Sequence, residues 1–440
     1  MKPIRSVEPV AVTADGHGVV THAGMVLLGE VADRSGLTTG LSRLLRAEGT
    51  QQRKHDLGRA LVHLASAVAN GGDCLSDLSM VRSQPSVFGI VASDPTMWRV
   101  IDSMHSGSFR AVDQARADAR SKVWARSGAP GFITLDFDAT LVTAHSEKED
   151  AKPTYKLGFG FHPLLCSLDE TGELLSANLR PGNAGSNTAS DHIEVLEAAL
   201  AQLPEGRRPD LARSDSAGAT HDFVEALRER DIAFSVGHPI DGRVRDVLLL
   251  VQEEDWKPAL DQDGKVRDGS SVAEITALMD LSGWPKGSRM IVRRERPHPG
   301  AQLSLFDQEH EFRHQGILTD VEGPSARVEM NHRGHARVED HVRCAKDTGL
   351  RNFPCADVVR NMAWLHIVLL ARDLLNWTQR LGFNGALRIA EPKRFRQRVL
   401  HVAARITTSS RQLRLRIQAS WPWSAEIATA FTRIRAAFVT

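Results

Sequence analysis

At 440 residues, 42% of them hydrophobic, the chain is long enough to bury a sizeable core divided among two to four domains. Its formal net charge of +1 conceals a polarity along the chain, because residues 341–440 hold 17 Lys and Arg against 5 Asp and Glu, a balance that points to phosphate contacts near that end. Cys74, Cys166, Cys344 and Cys355 have neither the density of a disulfide framework nor the spacing of a zinc ribbon, and fit a reducing cytoplasm. There is no Gly-Lys-Ser/Thr phosphate loop or Gly-x-Ser-x-Gly elbow, which argues against nucleotide-driven and acyl-transfer chemistry. No secretory signal or membrane span is evident.

Residues 1–128 are predicted helical. Apolar residues recur at helical spacing from His55 to Asn70 and stop at Gly71-Gly72, and Ser93-Asp94-Pro95-Thr96 is a helix-start signal ahead of Met97–Met104. Short helices joined by turns serve either as a helix-turn-helix reader of DNA or as a helical cap or dimerisation piece. From Ile133 to Val142 the pattern alternates with period two, placing Leu135, Phe137 and Ala139 on one side and Asp136, Asp138 and Thr140 on the other. Two carboxylates on one face of an apolar strand need partners, unless the strand is an edge with one solvated face. A meander is expected over about 155–180.

Pro209–Gly218 reads as a short strand ending in small turn residues, followed by an amphipathic helix from about Thr220 to Arg230. Asp215 then lies at the carboxyl end of a strand, where ligands gather in sheets flanked by helices; an Asp before a Ser-Gly turn also serves plain turn chemistry. Val247–Val251 and Arg289–Arg294 read as strands of an inserted β subdomain over about 241–319, whose tail, Arg293-Arg294-Glu295-Arg296, is placed to track a nucleic-acid backbone. Further on, Gly334 predicts a helix that starts only after it, leaving His332 in the preceding loop. Relative to Glu339, His332 is seven residues back, His335 four back, Arg343 four on and Lys346 seven on, so a helix would gather one carboxylate among cations on one face. The plain alternative is an exposed helix laced with ion pairs. Met362–Leu375 is apolar but short and contains Arg372 and Asp373, which predicts a buried core helix. Glu391–Arg398 and Arg411–Arg416 concentrate basic charge, as a DNA-backbone surface or as solvated faces.

Asp138, Asp215 and Glu339 therefore fall on three different elements and read together as a metal-holding triad. Three carboxylates suit Mg²⁺ or Mn²⁺ rather than zinc, and two such ions about 3.5–4 Å apart serve both ends of an in-line displacement at phosphorus.

Asp138 followed by Ala139-Thr140, Asp215 followed by Ser216-Ala217-Gly218, a long interval, then Glu339 with Lys346 seven residues later resembles the DDE transposases of bacterial insertion sequences. Within them the likeness is to the group with a Tyr-Arg-Glu-Lys signature and its insertion-sequence family numbered thirteen-eighty. Leu179-Arg180-Pro181-Gly182-Asn183-Ala184 and the run Asp347–Pro354 resemble the same family, so the likeness spans roughly residues 85–380. The resemblance implies an α/β fold with an RNase H-like core, a mixed sheet flanked by helices, divided as a helical DNA-binding or dimerisation region (1–128), core (129–240), mainly β insertion (241–319), core with the Glu339 helix (320–376) and basic region (377–440). It implies catalytic and metal-binding roles for Asp138, Asp215 and Glu339 with two Mg²⁺ or Mn²⁺ ions. DNA contacts are implied for Lys346, for His332 and His335 at the family's Tyr and Arg positions, and for the neighbouring Arg333, Arg337 and Arg343. Related transposases carry a base-stacking aromatic in the insertion, here Trp256 or Trp284 unless these simply pack. The implied reaction is cleavage at element ends and strand transfer into target DNA, with or without a hairpin intermediate. Terminal inverted repeats and target DNA would be the partners of a cytoplasmic, nucleoid-associated homodimer. Asp136 rivals Asp138 as first ligand, although the Asp-Ala-Thr context favours Asp138. A nuclease that cuts without joining and an inactive DNA-binding derivative remain alternatives.

Overall fold

The computed structural model of the chain describes residues 11–49, 55–185, 188–297, 300, 303–409 and 412–439. The period-two segment around Asp138 is strand β1 (Thr134–Ala139) of a nine-stranded sheet. The others are β2 (Leu164–Leu168), β3 (Glu173–Asn178), β4 (Leu211–Ser214), β5 (Ala233–His238), β6 (Lys257–Leu260), β7 (Val266–Glu274), β8 (Arg289–Glu295) and β9 (Arg313–Thr319). Their order is β6-β7-β8-β9-β5-β4-β1-β2-β3. Within it, β4 runs parallel to β1 and to β5, while β2 is antiparallel to β1 and to β3. A five-strand unit ordered 3-2-1-4-5 with only its second strand reversed is the RNase H-like arrangement that the sequence implied.

Six helices position the site: α1 (Ser106–Ser127), α2 (Ala189–Leu200), α3 (His221–Arg228), α4 (Ser325–Arg333), α5 (Val338–Ala345) and α6 (Val358–Gly382). Parallel strands need crossovers, and α2 and α3 supply those from β3 to β4 and from β4 to β5. They cover the apolar face of β1: Phe137 meets Phe223 edge-on at 5.2 Å between centroids, within a core that includes Leu135, Leu196 and Val236. The strands within 241–319 extend the same sheet beyond β5, to which β9 is antiparallel. One strand expectation fails. Val247–Val251 falls at the end of a helix, Gly242–Leu248, because the Asp241 carboxylate accepts the Val244 N–H and caps a helical turn that the short apolar run concealed.

A second core joins the amino-terminal helices, among them Leu57–Ala69 and Asp94–Asp102, to α6 and to Ser424–Ala437. Met362–Leu375 is inside α6 and buried, as its composition predicts, and no helix among the described residues is long and apolar enough to cross a membrane. Asp373, fully buried on α6, accepts from Arg116 Nε and Arg120 Nη2, both at 2.7 Å. Arg120 also donates to the buried Glu173 of β3 at 3.0 Å. One charge network thus ties α1 and α6 to the sheet's edge.

Candidate active site

Because β1 and β4 are parallel neighbours, Asp138 near the end of one and Asp215 just past the end of the other reach the same rim of the sheet. Asp215 Oδ1 accepts the Ala217 N–H at 2.9 Å, so its carboxylate also shapes the turn. Gly237 of β5 lies directly against that turn, where a Cβ would meet Ser216 N at 2.9 Å and the Asp215 carbonyl carbon at 3.1 Å. Only a residue without a side chain lets β5 approach so closely. The third carboxylate arrives on α5, which packs across β1 and β2 with Glu339 in its first turn. The helix that bears Glu339 starts after Gly334 as expected, but no loop precedes that glycine. α4 runs through a 3₁₀ turn, Gly334–Arg337, into α5, and Gly334 itself has right-handed helical angles. The glycine serves close packing, since a Cβ there would lie 2.6 Å from Arg213 Nη1.

Burial pushes the Asp138 carboxyl up to about 6; His335 opposes the rise, and the Asp215 and Glu339 carboxylates add to it. The three acids thus share one electrostatic site with His335. Their oxygens do not all fall within 4.8 Å of one another; among the described residues only Asp73, Cys74 and Asp77 form such a group. An all-oxygen donor set of this kind fits Mg²⁺ or Mn²⁺.

Asp136 is spoken for. Fully buried, it accepts from Arg213 Nε at 2.8 Å and Nη2 at 2.7 Å, and from His335 Nδ1 at 2.9 Å. Arg213 also donates to Asp169 at 2.8 Å and to the Asn331 carbonyl at 2.7 Å, and Arg337 donates to Asp169 at 2.7 Å. A single guanidinium therefore clamps β1, β4, the end of β2 and the α4–α5 segment, holding the Glu339 helix over Asp138. Sequence reasoning missed Arg213 and Asp169. The available signal was a lone Arg inside the otherwise small and apolar strand Leu211-Ala212-Arg213-Ser214.

The sequence matches the family described as transposase DDE domain group 1 over residues 2–438. The chain belongs to that family. No curated protein matches it. Among solved structures it is similar to the piggyBac transposase synaptic complex with hairpin DNA, determined by cryo-EM, at 12% identity and a TM-score of 0.44, over 84% of this chain and 79% of that one.

Of the DNA-contact residues that the sequence resemblance implied, the structure brings only some to the triad. Lys346, half-buried near Asp138, donates to the Leu141 carbonyl just beyond β1 at 3.1 Å. Arg343 is shared between Asp340 at 2.7 Å and Glu391 at 3.2 Å, Arg337 is held by Asp169, and Arg333 lies against Glu329 and the Leu260 carbonyl. His332 is not in a loop facing DNA. It is 4% exposed on α4, with Nδ1 2.9 Å from Ser235 Oγ, and packs that helix onto β5. Trp256 lies under the Arg294 guanidinium at 4.2 Å and Trp284 stacks on His221 at 4.0 Å, so both pack rather than stand free. Arg293 and Arg294, expected along a nucleic-acid backbone, pair with Glu329 and Glu253. Arg411 is outside the described residues.

Burial holds His332 down to about 3 and His63 to about 4, against an ordinary 6.5. Both are neutral in the fold, whereas the unfolded chain protonates them below about pH 6.5, so their contribution is complete above that pH and is lost as pH falls toward 4. Thermal melts of wild type are expected to lose stability across that window. In His332→Gln the loss should be shallower; an identical slope would remove His332 from the account.

Proposed function

We propose that the chain is the transposase of an insertion sequence, in the Tyr-Arg-Glu-Lys signature group and its family numbered thirteen-eighty, cutting DNA at the element's ends and joining the freed 3′ ends to target DNA. The observation that carries this reading is the convergence of Asp138 near the end of β1, Asp215 just past the end of the parallel strand β4 and Glu339 in the first turn of α5, in a chain of the transposase DDE domain family. Gathering three carboxylates is unfavourable without a strong counter-charge. Asp138, Asp215 and Glu339 would hold two Mg²⁺ or Mn²⁺ ions, which, when bound, supply Lewis-acid stabilisation at the attacking and leaving oxygens of a phosphodiester.

The chain's other groups place the substrate. His335, anchored by Asp136, adds a donor beside Asp138, and Lys346 sets an ammonium where a phosphate approaching Asp138 would meet it. Arg213 keeps the carboxylates in register. No protein nucleophile is needed, since water serves cleavage and a 3′-hydroxyl serves joining. Basic residues in 377–440 support backbone contacts: Arg405 and Arg416 are direct cross-strand partners with Arg414 on the same face, a like-charge cluster that a polyanion would relieve. The helical region 1–128 is assigned to reading the terminal inverted repeats or to pairing two copies in a homodimer, acting on DNA in a bacterial cytoplasm.

The test combines purified protein, Mg²⁺ or Mn²⁺, a plasmid bearing the DNA that flanks its gene on both sides, and a target plasmid. Joined products are expected with wild type and not with Asp138→Ala, Asp215→Ala or Glu339→Ala. Cleavage without joining would make the protein a nuclease, and binding with neither would make it a catalytically inactive DNA-binding derivative.

A further inference from the structure

Between β1 and β2 the chain builds a small antiparallel sheet from Val142–Thr143, Lys152–Pro153 and Phe159–Phe161, with the last in the middle. Its tip projects. Tyr155 is 74% exposed, Leu157 100% and Phe159 43%. Leu157 also has φ of +61°, a left-handed conformation unfavourable for a leucine, held by the Thr154 N–H to Gly158 carbonyl bond at 2.7 Å and the Leu157 N–H to Thr154 carbonyl bond at 3.1 Å. Hydrophobic groups shown so openly on a tight turn mark a contact site.

The base of this hairpin is rigid. Gly182 packs under it so closely that a Cβ would lie 2.5 Å from the Gly160 and Lys152 carbonyl oxygens. Arg180 Nε donates to the His162 carbonyl at 3.0 Å and Arg180 Nη1 to Asp191 at 3.1 Å. From the other side Phe161 meets Phe353 edge-on at 5.2 Å. The two sequence motifs Leu179–Ala184 and Asp347–Pro354 thus both brace the hairpin. It is braced beside the triad, because it leaves β1 directly after Asp138 and because Lys346 bonds to Leu141 at its root. Lys393 is the only lysine in an ion pair among the described residues, so Lys152 and Lys156 are cations without carboxylate partners.

We propose that the Lys152–Phe161 hairpin is a DNA wedge, in which Tyr155 stacks on a base unpaired next to the scissile phosphate, Leu157 props the opened duplex, and Lys152 and Lys156 hold flanking phosphates. Aromatic faces accept any base, and apolar wedges stabilise opened steps. Cations without carboxylate partners beside the aromatic tip, with the Lys156 ammonium 5.7 Å from the Tyr155 ring centroid, favour nucleic acid over a second protein surface. The inference rests on the proposed transposase reading.

The probe is a forked duplex oligonucleotide with 2-aminopurine at its first unpaired position, mixed with full-length wild type, Tyr155→Ala, Tyr155→Phe or Leu157→Ser. Melting curves check that these exposed substitutions leave the fold intact. Wild type and Tyr155→Phe are expected to quench the fluorophore. Tyr155→Ala should lose the quenching and bind the fork about 5- to 100-fold more weakly, with fully paired duplex affinity within about twofold of wild type. Equal quenching and affinity in Tyr155→Ala would overturn the wedge, as would a change in oligomeric state by sedimentation without DNA. Joining by wild type, measured separately with Mg²⁺, reports on the transposase reading: if wild type joins ends while Tyr155→Ala matches it throughout, the wedge alone fails. If wild type neither cuts nor joins, the transposase reading fails whatever the quenching shows.

Discussion

Asp373→Ala is expected to lower folding stability by about 3–5 kcal/mol, because it leaves Arg116 and Arg120 charged and fully buried without their shared carboxylate. Breaking one member of a buried ionic group costs more than the group contributes, since the abandoned charge can neither reach water nor discharge. Arg116 would keep its bonds to the Leu174 and Leu175 carbonyls and Arg120 its bond to Glu173, which keeps the loss within that range. Urea unfolding of wild type, Asp373→Asn and Asp373→Ala provides the measurement, with Asn intermediate. A loss below about 1 kcal/mol for Ala would mean that the network relaxes or admits water. The effect should reach the RNase H-like core as well, since the same guanidiniums join α1 and α6 to β3.

Asp138→Asn should have opposite effects on activity and on stability. Removing a carboxylate from the proposed ion-holding triad is expected to reduce Mg²⁺-dependent cleavage by on the order of 10³-fold or more. In metal-free protein the same change should stabilise. The Asp138 carboxyl stands at about 6 in the fold against an ordinary 3.8, and a pKa raised by folding means a contribution present at low pH and lost as pH rises through about 6. A shift of that size corresponds to about 1–3 kcal/mol once partial solvent access is allowed for. At pH 7.5 without metal, Asp138→Asn is thus expected to melt above wild type, and at pH 4 the two should converge. Millimolar Mg²⁺ should raise the wild-type melting temperature more than the variant's. A variant that melts with wild type at every pH and still cleaves would remove Asp138 from the site.

Much of the candidate site's frame is legible in local sequence because periodicity and turn chemistry are local properties. Alternation alone put Asp138 and Asp136 on the polar face of a strand, small turn residues put Asp215 past a strand end, and the spacing around Glu339 put it on a helix among cations. The apolar run Met362–Leu375, interrupted by Arg372 and Asp373, announced a buried helix, and α6 is that helix. Where local signals were ambiguous, they misled. Gly334 resembled the end of a loop but caps α4 and makes room for Arg213, and Val247–Val251 resembled a strand but overlaps the end of a capped helix.

What the sequence by itself determined is therefore the set of elements and the residue types they expose: three carboxylates at the ends and faces of regular structure, within a chain whose basic charge collects at one end. Only the tertiary structure decided which of those groups are free to act. Asp136 rivalled Asp138 until strand register placed Arg213 against it, and His332 looked available until helix packing buried it. Tyr155 stands exposed because a braced hairpin holds it out. The physical reason is common to all of these. A buried charge or ring is satisfied by partners that sheet register and helix docking bring from far along the chain, and no local pattern encodes them.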